Sequence, residues 1–257
     1  IESVIHQTVT PNEIVLVIDG PVLFELKEII LELIDKYSFI TPIWIKENVG
    51  LGKALAIGVK NSEFDIIARM DSDDIAVSNR FETQLLCLQN NNEVSIVGGS
   101  IYEFFENINS IVGIRELPKS NVEIKKYLKR RSPLNHVTVM FRKEHVLKAG
   151  NYIDCKFNED YHLWVRMALC GFKFINIQEN LVFVRTGKEM YSRRGGIVYF
   201  KSEVLIQNLL LKNNLINKLT YYNNIIIRIF IQLVLPNSFR GLFYKYFFRK
   251  KVNISPK

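Results

Sequence analysis

Residues 65–74 read DIIARMDSDD, and the reading of this stretch decides the fold class. Asp65 to Met70 is a short run rich in Ile and Ala, the pattern of a strand buried on both faces. It passes directly into Asp71-Ser72-Asp73-Asp74, three carboxylates in four positions. In α/β sheets the functional loops sit at the carboxyl ends of the strands, and this is such an end.

The neighbouring segments repeat the arrangement. Upstream, Glu13 to Ile18 (EIVLVI) reads as a buried strand closed by the turn Asp19-Gly20-Pro21. Leu23 to Tyr37 has apolar residues at helical spacing. Ile43 to Lys46 is a second strand, then come Asn48-Val49-Gly50-Leu51-Gly52 and a helix over Lys53 to Asn61. Residues 1–7 read as the end of a helix. Downstream, 79–91 is helical and Val94 to Gly98 is a strand. Strands alternating with helices predict a mostly parallel sheet flanked by helices.

Beyond residue 120 the pattern changes. Lys125, Lys126, Lys129, Arg130 and Arg131 form a basic run, read as a solvated helix face, with diphosphate binding as the alternative. His136 to Arg142 is expected as a strand and Lys143 to Ala149 as a helix. Glu159-Asp160-Tyr161-His162-Leu163-Trp164-Val165-Arg166 follows, then strands at Phe172 to Ile177 and Leu181 to Arg185. The last 70 residues read as helical.

Three carboxylates this close repel, so the native state needs a compensating cation. In an extended turn Asp71 and Asp73 point the same way. Such oxygen ligands suit Mg²⁺ or Mn²⁺, which also hold a diphosphate. A solvated turn that caps the helix at 79 is the competing reading.

The series QTVTPNEIVLVIDGP, ENVGLGKA, DIIARMDSDD with Arg80-Phe81 after it, HVTVMFRK and NEDYHLWVRMALCGFKF resembles the family 2 glycosyltransferases. These are inverting enzymes of the GT-A class. The likeness is strongest to bacterial members that build O-antigen and other surface polysaccharides. It spans roughly residues 1–190, expected as a GT-A-like (Rossmann-like) catalytic domain, with 191–257 a helical basic region. The family's first strand is expected to precede Ile1.

The resemblance implies roles for particular residues. Asp19 matches the acid that contacts the uracil or ribose, although Ile18 stands where a second acid is usual. Asn48, Gly50 and Lys53 match the loop beside the nucleotide, and Ala56 replaces a frequent Asn. Asp71 and Asp73 match the DxD motif, Asp71 facing the nucleotide as well and Asp73 the better direct metal ligand. Asp74 braces the turn. Glu159-Asp160 matches the pair supplying the catalytic base, with Asp160 the choice, and Trp164 would help form the acceptor site. His136 is either near the metal or diphosphate or a structural histidine. Arg185, Arg193 and Arg194 either bind the diphosphate or lie in a solvated loop. The partners implied are a UDP-sugar donor and a lipid-diphosphate-linked saccharide acceptor.

Charge supports the division of the chain. Its 257 residues carry a formal +8, yet residues 1–187 are net −3 and residues 188–257 net +11. A chain that coats nucleic acid over its whole surface is thereby excluded, and no nucleic acid is expected as a partner. Ile225 to Leu235 (IIIRIFIQLVL) is too short and too polar to span a bilayer. Phe239 to Lys251 interleaves aromatics with cations, a composition suited to an anionic membrane surface. These features, with the lipid-linked acceptor, place the chain on the inner face of the cytoplasmic membrane. Three cysteines offer no even disulfide framework and favour a reducing compartment. A sugar nucleotidyltransferase is the second enzyme class considered; the 159–166 motif disfavours it.

Overall fold

The computed structural model describes residues 1–187, 195–236, 239, 240 and 249. After a short helix α1 (Glu2–Ile5), β1 (Ile14–Asp19) and β2 (Ile40–Ile45) pair in parallel, with Ile14 opposite Ile40 and Asp19 opposite Ile45. Helix α2 (Phe24–Lys36) connects them, and α3 (Leu51–Asn61) follows β2. The parallel pairing fits the right-handed crossover that a helix of this length provides.

The larger sheet takes six strands: β3 (Ile66–Ala68), β4 (Ile75–Ala76), β5 (Val94–Phe105), β6 (Asn107–Arg115), β7 (Met140–Arg142) and β8 (Lys173–Arg185). Their order is β3-β7-β5-β8-β4, with β6 also on β5. Helices α4 (Arg80–Asn90), α5 (Asn121–Leu128), α6 (Lys143–Lys148) and α7 (Glu159–Leu169) join them. Helix α5 begins at a reciprocal cap: Ser120 accepts from the Glu123 amide, and the Glu123 carboxylate accepts from the Ser120 amide.

The α/β class and the helix-flanked sheet are as expected, but the pairing is more mixed than mostly parallel. Only β5–β8 is parallel in the larger sheet; β3–β7, β5–β7, β4–β8 and β5–β6 are antiparallel. A helix crossover forces parallel neighbours, whereas β4 and β6 are reached through short turns that allow reversal. His136 to Thr138 is a 3₁₀ turn, so the expected strand begins only at Met140. The two strands expected at 172–185 are one strand, and β5 extends past Gly98 to Phe105.

The core lies between α7 and the larger sheet. Tyr161, Leu163, Trp164, Val165 and Met167 of α7 are buried with Ile96, Phe141 and Phe174 of the strands. Truncation of a side chain such as Trp164 in this setting costs about 3–5 kcal/mol. Helix α8 (Gly196–Lys212) contributes Ile206 and Leu210 to the same buried cluster.

Helix α9 (Lys218–Arg228) continues as a π-helical segment, Ile229–Val234. Its polarity is the reverse of an ordinary surface helix. Asn224, Arg228 and Gln232 are buried, whereas Ile226 is 63%, Phe230 54% and Val234 62% exposed. Two of the inward polar groups are bonded: Asn224 donates to the Lys129 carbonyl at 2.9 Å and to Gln207 Oε1 at 2.8 Å. Arg228 donates to Glu203 Oε2 at 2.6 Å and to the Arg130 carbonyl at 2.6 Å. Among the described residues no helix is long and apolar enough to cross a membrane.

Candidate active site

The loops at the carboxyl ends of β2 and β3 face one large cavity of about 1350 Å³. Asn48, Gly50, Asp71, Asp73, Asp74, His136, Glu159, Asp160 and Arg185 all line it. Residues separated by more than 100 positions in sequence are thus brought to one surface.

At the β1 end, Asp19 accepts from the Val49 amide at 2.8 Å and from the Gly50 amide at 3.1 Å. Asn48 in turn donates to the Asp19 carbonyl at 3.1 Å. Gly20 permits this approach: its φ is +100°, and a Cβ there would lie 2.9 Å from the Asn48 nitrogen. Asp19 itself does not line the cavity. It holds the Asn48–Gly50 loop, which does line the cavity. Lys53 makes an exposed ion pair at 3.2 Å with Asp154, which lines the cavity. Gly52 lets α3 pack against Glu159, since a Cβ on it would lie 2.9 Å from Glu159 Cγ.

The acidic cluster is held from two sides. Arg69, buried at 7% exposure, binds both carboxylate oxygens of Asp71, at 2.8 and 2.5 Å. Arg80 is fully buried and donates to the Arg69 carbonyl at 2.7 Å and to Gln84 Oε1 at 3.0 Å. Gln84 ties on to the carbonyls of Val97 and Thr138. On the far side the Arg185 amide donates to Asp74 Oδ1 at 2.9 Å. Burial pushes the Asp74 carboxyl up to about 7; Asp71 and Asp73 add to this, and the Arg185 amide opposes it. Asp73 remains exposed.

Oxygens of Asp71, Asp73 and Asp74 lie within 4.8 Å of one another. This hard, oxygen-only set fits Mg²⁺ or Mn²⁺. Asp74's pKa is raised first by burial and then by the charges of Asp71 and Asp73, and a bound cation would oppose both. Asp71 is committed to Arg69, so Asp73 is the carboxylate most open to a metal.

Elsewhere in the lining, Asp160 is half-buried and accepts from the Ser132 hydroxyl at 3.1 Å. Burial raises its pKa, against Ser132 and the nearby Arg115 and Arg69 charges, which lower it. Glu159 is more buried, and its Oε1 accepts from the Phe157 amide at 3.2 Å. Burial raises its pKa as well. Asp160 is therefore the better placed proton acceptor, and Glu159 braces the start of α7.

His136 bonds the Tyr152 hydroxyl at 2.9 Å and meets Trp164 edge-on, ring centroids 6.0 Å apart. Burial, with Arg69 nearby, holds its pKa well below the ordinary value, so the ring is neutral at pH 7. Trp164 has no exposure and lies behind His136, so it backs the cavity wall instead of forming an acceptor surface. Arg185 lies over the Phe104 ring at 4.8 Å and donates to the Glu106 carbonyl at 3.2 Å. Arg193 and Arg194 lie outside the described residues.

Two features of the site escaped the sequence reading. Arg69 directly follows β3, and its spacing of two from Asp71 was the available signal. Arg130 and Arg131 line the cavity instead of forming a solvated helix face. Helix α5 ends at Leu128, so these two arginines lie beyond it, next to Ser132, which bonds Asp160.

Comparison with known proteins agrees with this geometry. The family model described as Glycosyl transferase family 2 matches residues 1–150. The chain is 38% identical over 250 residues to an Escherichia coli UDP-Gal:alpha-D-GlcNAc-diphosphoundecaprenol beta-1,3-galactosyltransferase, covering 97% of this chain and 90% of that one. It is 37% identical over 212 residues to the amylovoran biosynthesis glycosyltransferase AmsE of Erwinia amylovora, covering 81% and 77%. In fold it matches S. aureus TarS 1–349 in complex with UDP-GlcNAc with a TM-score of 0.65 at 15% identity, over 89% of this chain and 67% of that one. The acidic cluster, the facing carboxylates and these likenesses together show that the chain is a GT-A-like member of glycosyltransferase family 2.

Proposed function

We propose that the chain transfers a hexose from a UDP-sugar to a hydroxyl of a lipid-diphosphate-linked saccharide, with inversion, in bacterial O-antigen or other surface-polysaccharide assembly. The observation that carries this reading is that Asp160 and the Asp71–Asp73–Asp74 cluster line one cavity. An in-line displacement needs a base on one side and a stabilised leaving group on the other. The E. coli relative, whose name gives a UDP-galactose donor and a diphosphoundecaprenol-linked acceptor, supplies the substrate classes.

Asp160 takes the proton from the acceptor hydroxyl. The acceptor oxygen bonds to the anomeric carbon from the face opposite UDP. The bond from that carbon to the diphosphate oxygen breaks, and UDP leaves with the electron pair. Asp73, with Asp71 and Asp74, would hold Mn²⁺ or Mg²⁺, which supplies charge neutralisation for the diphosphate. Arg69 keeps Asp71 oriented, and neutral His136 offers a wall without added positive charge. The loop Asn48–Gly50, fixed by Asp19, borders the nucleotide.

The acceptor's lipid calls for a membrane surface. The outward Ile226, Phe230 and Val234, with the net +11 of residues 188–257, support peripheral binding to anionic lipid on the inner face of the cytoplasmic membrane. The test is to supply the full chain with Mn²⁺, a panel of UDP-sugars and GlcNAc-diphospholipid acceptors, and to analyse the lipid-linked products. A lipid-linked disaccharide of inverted configuration from one UDP-sugar is expected. Transfer from no UDP-sugar, or a retained configuration, contradicts the reading.

A further inference from the structure

The basic lining of the cavity has no part in the donor chemistry above. The segment 129–132 spans two anchors. At one end the Lys129 and Arg130 carbonyls accept from Asn224 and Arg228 of α9. At the other, Ser132 holds the Asp160 carboxylate. Arg130 and Arg131 lie between these anchors and line the cavity, as does Arg115. Arg115 is close enough to Asp160 to lower its pKa.

The same end of the cavity is lined by Ile227 and Ile231. Both belong to the helix whose neighbouring residues Ile226 and Phe230 face outward. The order along the chain's own contacts is therefore catalytic carboxylate, arginines, apolar helix. A ligand matched to that order has a hydroxyl-bearing sugar, then a dense anion, then a hydrocarbon chain. Arginine suits the phosphate geometry, and a cavity wall strengthens the contact over a freely solvated one.

We propose that Arg130 and Arg131, with Arg115, form an acceptor-side diphosphate subsite, and that Ile227 and Ile231 start the path of the attached lipid toward the membrane. This deepens the acceptor class proposed above and rests on it. It also explains why a helix buries Asn224 and Arg228 while exposing isoleucines: the polar face fixes the arginine segment, and the apolar face meets the lipid.

The test uses the full chain at saturating UDP and Mn²⁺, with farnesyl diphosphate, inorganic diphosphate and farnesol as probes. Wild type is expected to bind farnesyl diphosphate more tightly than either other probe. Arg130→Ala and the Arg130→Ala/Arg131→Ala double variant are expected to weaken that binding by about tenfold and more than tenfold. Arg130→Lys should keep part of it. UDP affinity, measured separately, should not change, which also reports that the variants fold. Arg130 is exposed, so its single variant carries the test if the double variant does not fold. An equal loss of UDP affinity would assign the arginines to the donor and overturn the proposal. Unchanged farnesyl diphosphate binding overturns it too, and equal binding of inorganic diphosphate removes the lipid path. A wild type that binds farnesyl diphosphate yet transfers to no lipid-linked saccharide would instead count against the proposed reaction.

Discussion

Ser132 donates its hydroxyl to Asp160 Oδ2 at 3.1 Å, and this bond stabilises the ionised carboxylate against the burial that opposes it. Removing the donor leaves burial to act with less opposition. Ser132→Ala should therefore raise the Asp160 pKa. A base works only when ionised, so the acidic limb of the kcat profile should move to higher pH. A full pH–rate profile of wild type and variant measures this. An unmoved limb would mean that Asp160 is not the group titrating in that limb.

Asp73→Ala addresses the acidic cluster. UDP should bind wild type more tightly when Mn²⁺ is present, because the cation links carboxylate and diphosphate. The variant should bind UDP alike with and without Mn²⁺. Titration calorimetry in both conditions gives the two affinities, and a metal gain that persists in the variant excludes Asp73 as the ligand.

Arg228→Met addresses the fixing of the C-terminal helix. Arg228 and Glu203 are only 8% and 11% exposed. Removing one partner of such a pair strands the other and costs about 3–5 kcal/mol. The Arg130 carbonyl loses its donor as well. The melting temperature should fall by roughly 6 °C or more. The Glu203→Gln/Arg228→Met double variant should recover part of the loss, which a thermal melt of all three chains reads directly.

His162 gives the fold an acid-sensitive element. Burial first, then Arg166, holds its pKa down to about 4 from 6.5, and its Nδ1 accepts from Arg166 Nε at 2.9 Å. Between these values the unfolded chain binds more protons than the folded one. The stability due to the neutral ring is thus present above pH 6.5 and is lost as the pH falls toward 4. A shift of this size has a ceiling of about 3 kcal/mol, which screening at a partly exposed ring reduces to ~1 kcal/mol. His162→Gln should flatten the decline in melting temperature across that window. An identical decline in the variant would show that other groups set it.

What the sequence reveals follows from what each element needs locally. DIIARM and EIVLVI announce strands because each is apolar over its own length, and both form near the expected places, though half-buried except at Ile18. Asp71, Asp73, Asp74 and Asp160 are visible because carboxylates crowded after a strand or at a helix start need a reason. Strand sense is less visible: β7 joins antiparallel to β3 and β5, and nothing in MFR encodes its partners. Arg69, Arg130 and Arg131 are equally hidden. Their significance lies in contacts with Asp71 and with the cavity near Asp160, and a charged side chain in sequence carries no record of what it faces. Asp19 was legible as important but not in its manner of acting, since its bonds to the Val49 and Gly50 amides arise only once β1 and β2 pair.

The most direct measurement is hexose transfer by Asp160→Asn beside wild type, with UDP affinity determined on the same preparations. Asparagine keeps the size and can still accept from Ser132, but it cannot take the acceptor's proton. Transfer should fall by roughly 100-fold or more while UDP binding in the presence of Mn²⁺ is retained. Turnover close to that of wild type would contradict the assignment of Asp160 as the base facing the Asp71–Asp73–Asp74 cluster.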